Sequence, residues 1–194
     1  EGRVVTNGMS QYSRNERNAN AAIVVGIDPE RDYPGHPLAG VELQRRLETR
    51  AFEVGGGDYH APAQRVGDFL AGRPSRAVGD VEPSYKPGVT WCDLAEVLPA
   101  FAISAIREAI PEFNKQIRGF SMPDAVLTAV ETRTSSPISI KRDAGLQSIN
   151  TRGLFPAGEG AGYAGGILSA AVDGIKVAEA VARDILQRSP DSLH

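Results

Sequence analysis

The chemically densest part of the sequence runs Gly153-Leu154-Phe155-Pro156-Ala157-Gly158-Glu159-Gly160-Ala161-Gly162-Tyr163-Ala164-Gly165-Gly166-Ile167. Gly160, Gly162 and Gly165 form a literal G-x-G-x-x-G between a strand-like run and a long helical pattern, the spacing of a dinucleotide fingerprint. Glycines without a Cβ let a ligand come close to the backbone. Free N–H groups opening a helix, backed by its dipole, favour an anion or an electron-rich carbonyl. Glu159, among those glycines, can accept hydrogen bonds from sugar hydroxyls.

The fingerprint does not open a nucleotide domain. A Rossmann unit needs a second parallel strand after the helix, ending in an acidic residue for the ribose. The helical pattern here runs to about Arg188, and the six residues that follow leave no room for one. A tight corner without a ligand is the plainer reading. The glycines at 158, 160, 162, 165 and 166, with a carboxylate among them, exceed what a corner needs.

Other reactive residues are sparse. Arg133-Thr134-Ser135-Ser136-Pro137 reads either as a ligand-facing stretch or as a Ser-Pro turn between strands. Arg142 and Asp143 read as a surface pair. His36 and His60 sit in loops, and structural roles suit them better than proton donation. No histidine spacing or carboxylate cluster suggests a metal, and no Gly-x-Ser-x-Gly elbow is present. Cys92, the single cysteine, excludes an internal disulfide and reads as a small buried hydrophobe. Catalytic residues stay unassigned.

These groups must be placed by an α+β scaffold, with strands from both chain ends flanking a helical middle. Strands are expected at Arg3–Thr6, Ala22–Ile27, Ala125–Thr132, Ile138–Lys141 and around Leu154–Ala157. A helix with Val41, Leu43, Leu47, Ala51 and Phe52 on its core face stops at Gly55-Gly56-Gly57. A second covers Ala63–Leu70. Cys92–Ile117 is helical again, divided by Pro99 and Pro111 in first turns. Leu94, Val97, Leu98, Phe101, Ile103, Ile106 and Ile110 supply its apolar stripe. The last helix carries a small face, Ala170, Ala171, Gly174 and Ala178, suited to tight packing on a sheet.

The balance of the chain sets limits. Its 41% hydrophobic content and formal charge of −3 describe an ordinary globular protein. Lys and Arg are scattered, and the tightest cluster, Arg73 with Arg76, is too small to track nucleic acid. Ile167–Leu186 is interrupted by Asp173, Lys176, Glu179, Arg183 and Asp184, so no membrane span is expected. Cysteine usage makes a cytoplasmic setting the default. A strand-like run two residues after a non-Met start predicts a piece of a longer protein.

The glycine segment, together with Thr6-Asn7-Gly8-Met9-Ser10, Ala61–Leu70 and Glu131–Pro137, resembles bacterial NAD- or FAD-utilising dehydrogenases, at their C-terminal end. The resemblance spans nearly the whole chain. It implies an FAD-dependent oxidoreductase with a split flavin-binding fold, whose N-terminal glycine fingerprint lies on a segment this chain lacks. That segment and a small-molecule substrate are the implied partners, with NAD(P)H a candidate electron donor and no nucleic acid or membrane involved. Residues 1–30 would give a strand segment of the core sheet. Residues 31–120 would form the substrate or cap region, and 121–194 the strands with the closing strand, glycine loop and helix. The implied cofactor-binding residues are Gly158, Glu159, Gly160, Gly162, Tyr163, Gly165, Gly166 and Ile167. Gly158 and Glu159 would lie near the ribityl-pyrophosphate region, while Gly165, Gly166 and Ile167 present N–H groups to the flavin ring edge. A stand-alone phosphate- or nucleotide-binding module and a structural domain are the alternatives.

Overall fold

The computed structural model describes residues 1–9 and 11–187. Ser10, in the first family-like stretch, and Arg188, the expected helix end, lie outside them. The chain divides into two compact units. One comprises Glu1–Pro34 with Glu42–Thr132, and the other Gly35–Val41 with Arg133–His194.

The first unit is α+β. After a short turn of helix, α1 (Pro29–Asp32), its main elements are α2 (Ala39–Val54, whose first residues count with the second unit), β1 (Ala61–Arg65), α3 (Val66–Leu70), β2 (Val89–Trp91), α4 (Ala100–Gln116) and β3 (Val126–Thr128). The sheet is small and mixed, in the order β2-β1-β3. β1 runs parallel to β2, pairing Ala61 with Val89, and antiparallel to β3, pairing Ala63 with Thr128. As the central strand, β1 is buried from Ala61 to Gln64. Its buried polar side chain, Gln64, is bonded at both ends: the amide donates to the Arg73 carbonyl (2.7 Å) and its oxygen accepts from the Leu94 N–H (2.9 Å).

Val4, Ala51, Val66, Phe69, Leu94, Val97, Ile103, Ile106 and Ile110 form the core beside this sheet. The 3.6-residue spacing on α2 and α4 puts Ala51 and Ile103, Ile106 and Ile110 on their inner faces. α2 stops where expected, with the Gly55 N–H bonded to the Ala51 carbonyl and Gly56 and Gly57 at positive φ.

Several expected elements are different. The helix expected over Ala63–Leu70 begins only at Val66, because Ala63–Arg65 complete a strand bonded on both sides. Pro111 lies inside α4 and does not divide it; Pro99 caps its start, after a single 3-10 turn at Leu94–Glu96. The sheet draws its strands from the middle of the chain and not from both ends. Arg3–Thr6 is extended but makes only single bonds, Val4 N–H to the Glu48 carbonyl and Thr6 N–H to that of Val130. Ala22–Ile27 rests Ile23 and Val25 on the core while exposing Val24 and Ile27, with no ladder partner.

The second unit carries the glycine loop and one long helix, α5 (Ile167–Gln187). Ile138–Lys141 and Leu154–Ala157, both expected as strands, are not strands. Ile140 makes one backbone bond, to the Ala161 carbonyl. Pro156 has no N–H for a ladder, and its carbonyl accepts from the Arg142 side chain instead (2.8 Å). Among the described residues, the buried apolar side chains here are few: Pro156, Ala161 and Val177. No helix among the described residues is long and apolar enough to cross a membrane.

Candidate functional site

Arg142 and Asp173, 31 positions apart, set the geometry of the loop. The guanidinium meets the carboxylate at two points, Nη2–Oδ1 at 2.6 Å and Nη1–Oδ2 at 3.0 Å, with both side chains nearly buried. Such a fork-to-fork contact fixes both direction and distance. The Gly158 N–H donates to the same carboxylate (2.8 Å). Arg142 and that N–H together hold the Asp173 carboxyl down at about 2, with burial opposing them. The surface pair expected of Arg142 and Asp143 is corrected here. Arg142 turns inward to Asp173, while Asp143 accepts from the Gln147 N–H.

Tyr163 is the second brace. Its ring lies under the Arg142 guanidinium at 3.7 Å. Its hydroxyl donates to the Ile140 carbonyl and accepts from the Arg142 N–H, both at 3.1 Å. Ser136 joins from the family-like stretch, donating to the carbonyls of Ile138 and Gly160 (3.0 and 3.2 Å).

The glycines fall into two groups. Gly158 and Gly162 serve the fold, with φ of +66° and +80°; a Cβ on Gly162 would lie 2.5 Å from the Ile138 carbonyl oxygen. Gly160 and Gly165 are different: a Cβ on either would meet nothing within 4 Å. At Gly166 it would meet only the Ser169 hydroxyl, at 3.5 Å. Nothing within the described chain requires the smallness of these three.

Gly166 opens α5. Its N–H bonds to Ser169 Oγ (3.2 Å), and its carbonyl accepts from Ala170. The first turn has no acidic residue. Ile167 and Leu168 stand 91% and 82% exposed beside those N–H groups. Glu159 is exposed. On the helix's small face, Ala170 and Gly174 turn partly inward, while Ala171 and Ala178 join Leu168, Val172 and Ile175 on an exposed apolar face. Among the described residues of this unit, no sheet covers the small face.

The remaining candidates are structural. His36 Nδ1 accepts from the Leu38 N–H (3.2 Å), and His60 Nδ1 pairs with Asp58 at 2.7 Å. Burial pushes the Cys92 thiol up to about 11, which disfavours its thiolate. The sequence reading missed an ionic cluster in the first unit. Asp68, buried, accepts from Arg65, Arg73 and Ser75 at 2.8–3.0 Å and ties α3 to the following loop. Asp68, Arg65 and Arg73 were within reach as an acid flanked by bases, but their contact depends on the turn after α3.

A family model described as "FAD-dependent protein, C-terminal domain-like" matches residues 1–134. The chain belongs to this family. It is also 54% identical over 180 residues to an uncharacterized protein of Clostridium beijerinckii (strain ATCC 51743 / NCIMB 8052). That alignment takes in 92% of this chain and 34% of the relative, so the chain spans about a third of the length of the curated relative it matches. The family match likens residues 1–134 to the C-terminal domain of FAD-dependent proteins. The matched residues stop before Gly153, and the role of the glycine loop rests on its own geometry.

Proposed function

We propose that this domain is the C-terminal part of an FAD-dependent oxidoreductase, and that Gly158–Ile167 with the start of α5 closes the flavin site. The observation that carries this reading is the group of open glycines, Gly160, Gly165 and Gly166, whose bare backbone a ligand could approach because nothing in the described chain fills the space beside it. The donor set suits a flavin. Backbone N–H groups at the start of α5 favour an electron-rich ring edge and stabilise negative charge there. Ile167 and Leu168 give an apolar surface for an aromatic ring and keep water from it. Glu159 accepts from hydroxyls of the sugar-alcohol chain. When bound, FAD supplies hydride or electron transfer.

The bare apolar face of α5 supports a further part of the same reading. Surface of this kind is normally covered, and the N-terminal flavin-binding segment of the longer protein would cover it. The helix-rich part of the first unit would then contribute to the substrate region.

A stand-alone phosphate module is less well supported. From Gly153 to Ser169 the loop has no Lys or Arg, and its one charged residue, Glu159, is anionic. The test is the visible absorption spectrum of the purified full-length protein. Flavin bands that bleach on reduction support the proposal. A colourless folded protein that takes up no added FAD overturns it.

A further inference from the structure

We propose that the first unit carries a second anion site, a shallow arginine groove that binds a small molecule with two adjacent phosphoryl groups. The groove, about 340 Å³, is lined by Arg3, Arg45, Arg46, Thr49, Arg50 and Glu53. Five of these lie on α2, and the sixth is brought to it by the N-terminal segment. The Val4 N–H bonds to the Glu48 carbonyl at 3.0 Å, and Val4 itself is buried, which pins Arg3 beside the helix.

Of the four guanidiniums, only that of Arg50 is held in ion pairs among the described residues. Arg50 is anchored, with Nε on the Glu96 carbonyl (2.9 Å), Nη1 on Glu53 (3.2 Å) and Nη2 near the Glu96 carboxylate (3.8 Å). Arg3, Arg45 and Arg46 form no ion pair with any described residue. Arg46 and Arg50 stand at i and i+4, where like charges destabilise a helix. Gathering four guanidiniums on one short stretch carries a local repulsion that an anion would offset.

Guanidinium forks match phosphate geometry at two points each, and the Thr49 hydroxyl can donate to a further oxygen. Two linked phosphoryl groups would engage several arginines at once, where one would engage fewer. The site is short. Arg45 to Glu53 spans about 12 Å along the helix, too little to track a duplex backbone. This inference is independent of the flavin reading, since none of its residues lies on the glycine loop.

The test is a calorimetric titration of the intact chain with inorganic pyrophosphate, repeated with orthophosphate, with Arg45→Gln/Arg46→Gln and Arg3→Gln, and with Gly166→Val. The variants at 3, 45 and 46 alter exposed side chains and leave the core intact. The proposal expects salt-sensitive binding, tighter for pyrophosphate than for orthophosphate. Affinity should fall about tenfold or more in the double variant, as charged hydrogen bonds are lost, and should hold in Gly166→Val. Absence of binding overturns the proposal, as does binding unchanged in the arginine variants but lost in Gly166→Val. A duplex oligonucleotide or acidic peptide that binds the same arginines more tightly than pyrophosphate overturns the small-molecule assignment.

Discussion

The Arg142 guanidinium and the Asp173 carboxylate face each other at 2.6 and 3.0 Å, and the loop between them in sequence is shaped around that contact. Arg142 reaches the Pro156 carbonyl and stacks on Tyr163, while Asp173 holds the Gly158 N–H. In a unit with few buried apolar residues, this polar clamp substitutes for a core. Removing one partner leaves the other charge nearly buried and alone.

Asp173→Asn should therefore destabilise the second unit by about 3 kcal/mol, since breaking a buried pair costs far more than an exposed one contributes. Denaturant unfolding followed by a probe on α5 measures it. A change under 1 kcal/mol would mean the pair is solvated in practice.

Acid should act through the same carboxyl. The Asp173 value falls from 3.8 in its ordinary state to about 2 in the fold, so the unfolded chain binds the proton more readily. Stability from this group is fully present above the ordinary value and is lost as pH falls through about 2. Asp173→Asn should remove that part of the acid slope. Asp68, held low first by Ser75 and then by Arg65 and Arg73, retains its own share. Acid titration of both proteins by circular dichroism reads the difference, and identical slopes would exclude Asp173 as a contributor.

The two groups of glycines should separate in mutagenesis. Gly162→Ala places a Cβ against the Ile138 carbonyl at positive φ and should cost about 2 kcal/mol or more. Gly160→Ala and Gly165→Ala should change stability by no more than about 0.5 kcal/mol and yet weaken flavin binding. Thermal melts and flavin titrations on the three variants check both halves. Equal melting losses at all three positions would return the loop to the status of a tight corner.

Phe69 is fully buried, with the Arg107 guanidinium 5.1 Å from its ring centre and bonded to its carbonyl at 2.8 Å. Phe69→Ala should cost about 3–5 kcal/mol, measured by chemical denaturation.

The helices were legible because their signal is local. α2 shows its apolar spacing and its glycine stop, and α5 its long amphipathic run. The strands were not, because a strand is decided by what pairs with it. Ala63–Arg65 looks helical in sequence and is central in the sheet, whereas Ala22–Ile27 looks like a buried strand and lies along the core without a ladder. Pro111 misled for a related reason: the packing of Ile106 and Ile110 carries α4 through it. The glycine loop was located correctly as a segment, but its clamp was hidden, since nothing in sequence joins Arg142 to Asp173. The arginine groove was half visible, with Arg45, Arg46 and Arg50 close in sequence on a helix and Arg3 added only by the fold. Taking Arg73 and Arg76 as the tightest basic cluster is corrected by that groove.

The most direct test of the central claim is the flavin content of the full-length protein carrying Gly166→Val, read from its visible spectrum beside wild type. A Cβ at this position meets only Ser169 Oγ, at ordinary contact distance, so the described chain itself accommodates a side chain here. The account predicts a folded variant that has lost its flavin while wild type retains it. A folded Gly166→Val protein with the flavin content of wild type would contradict it.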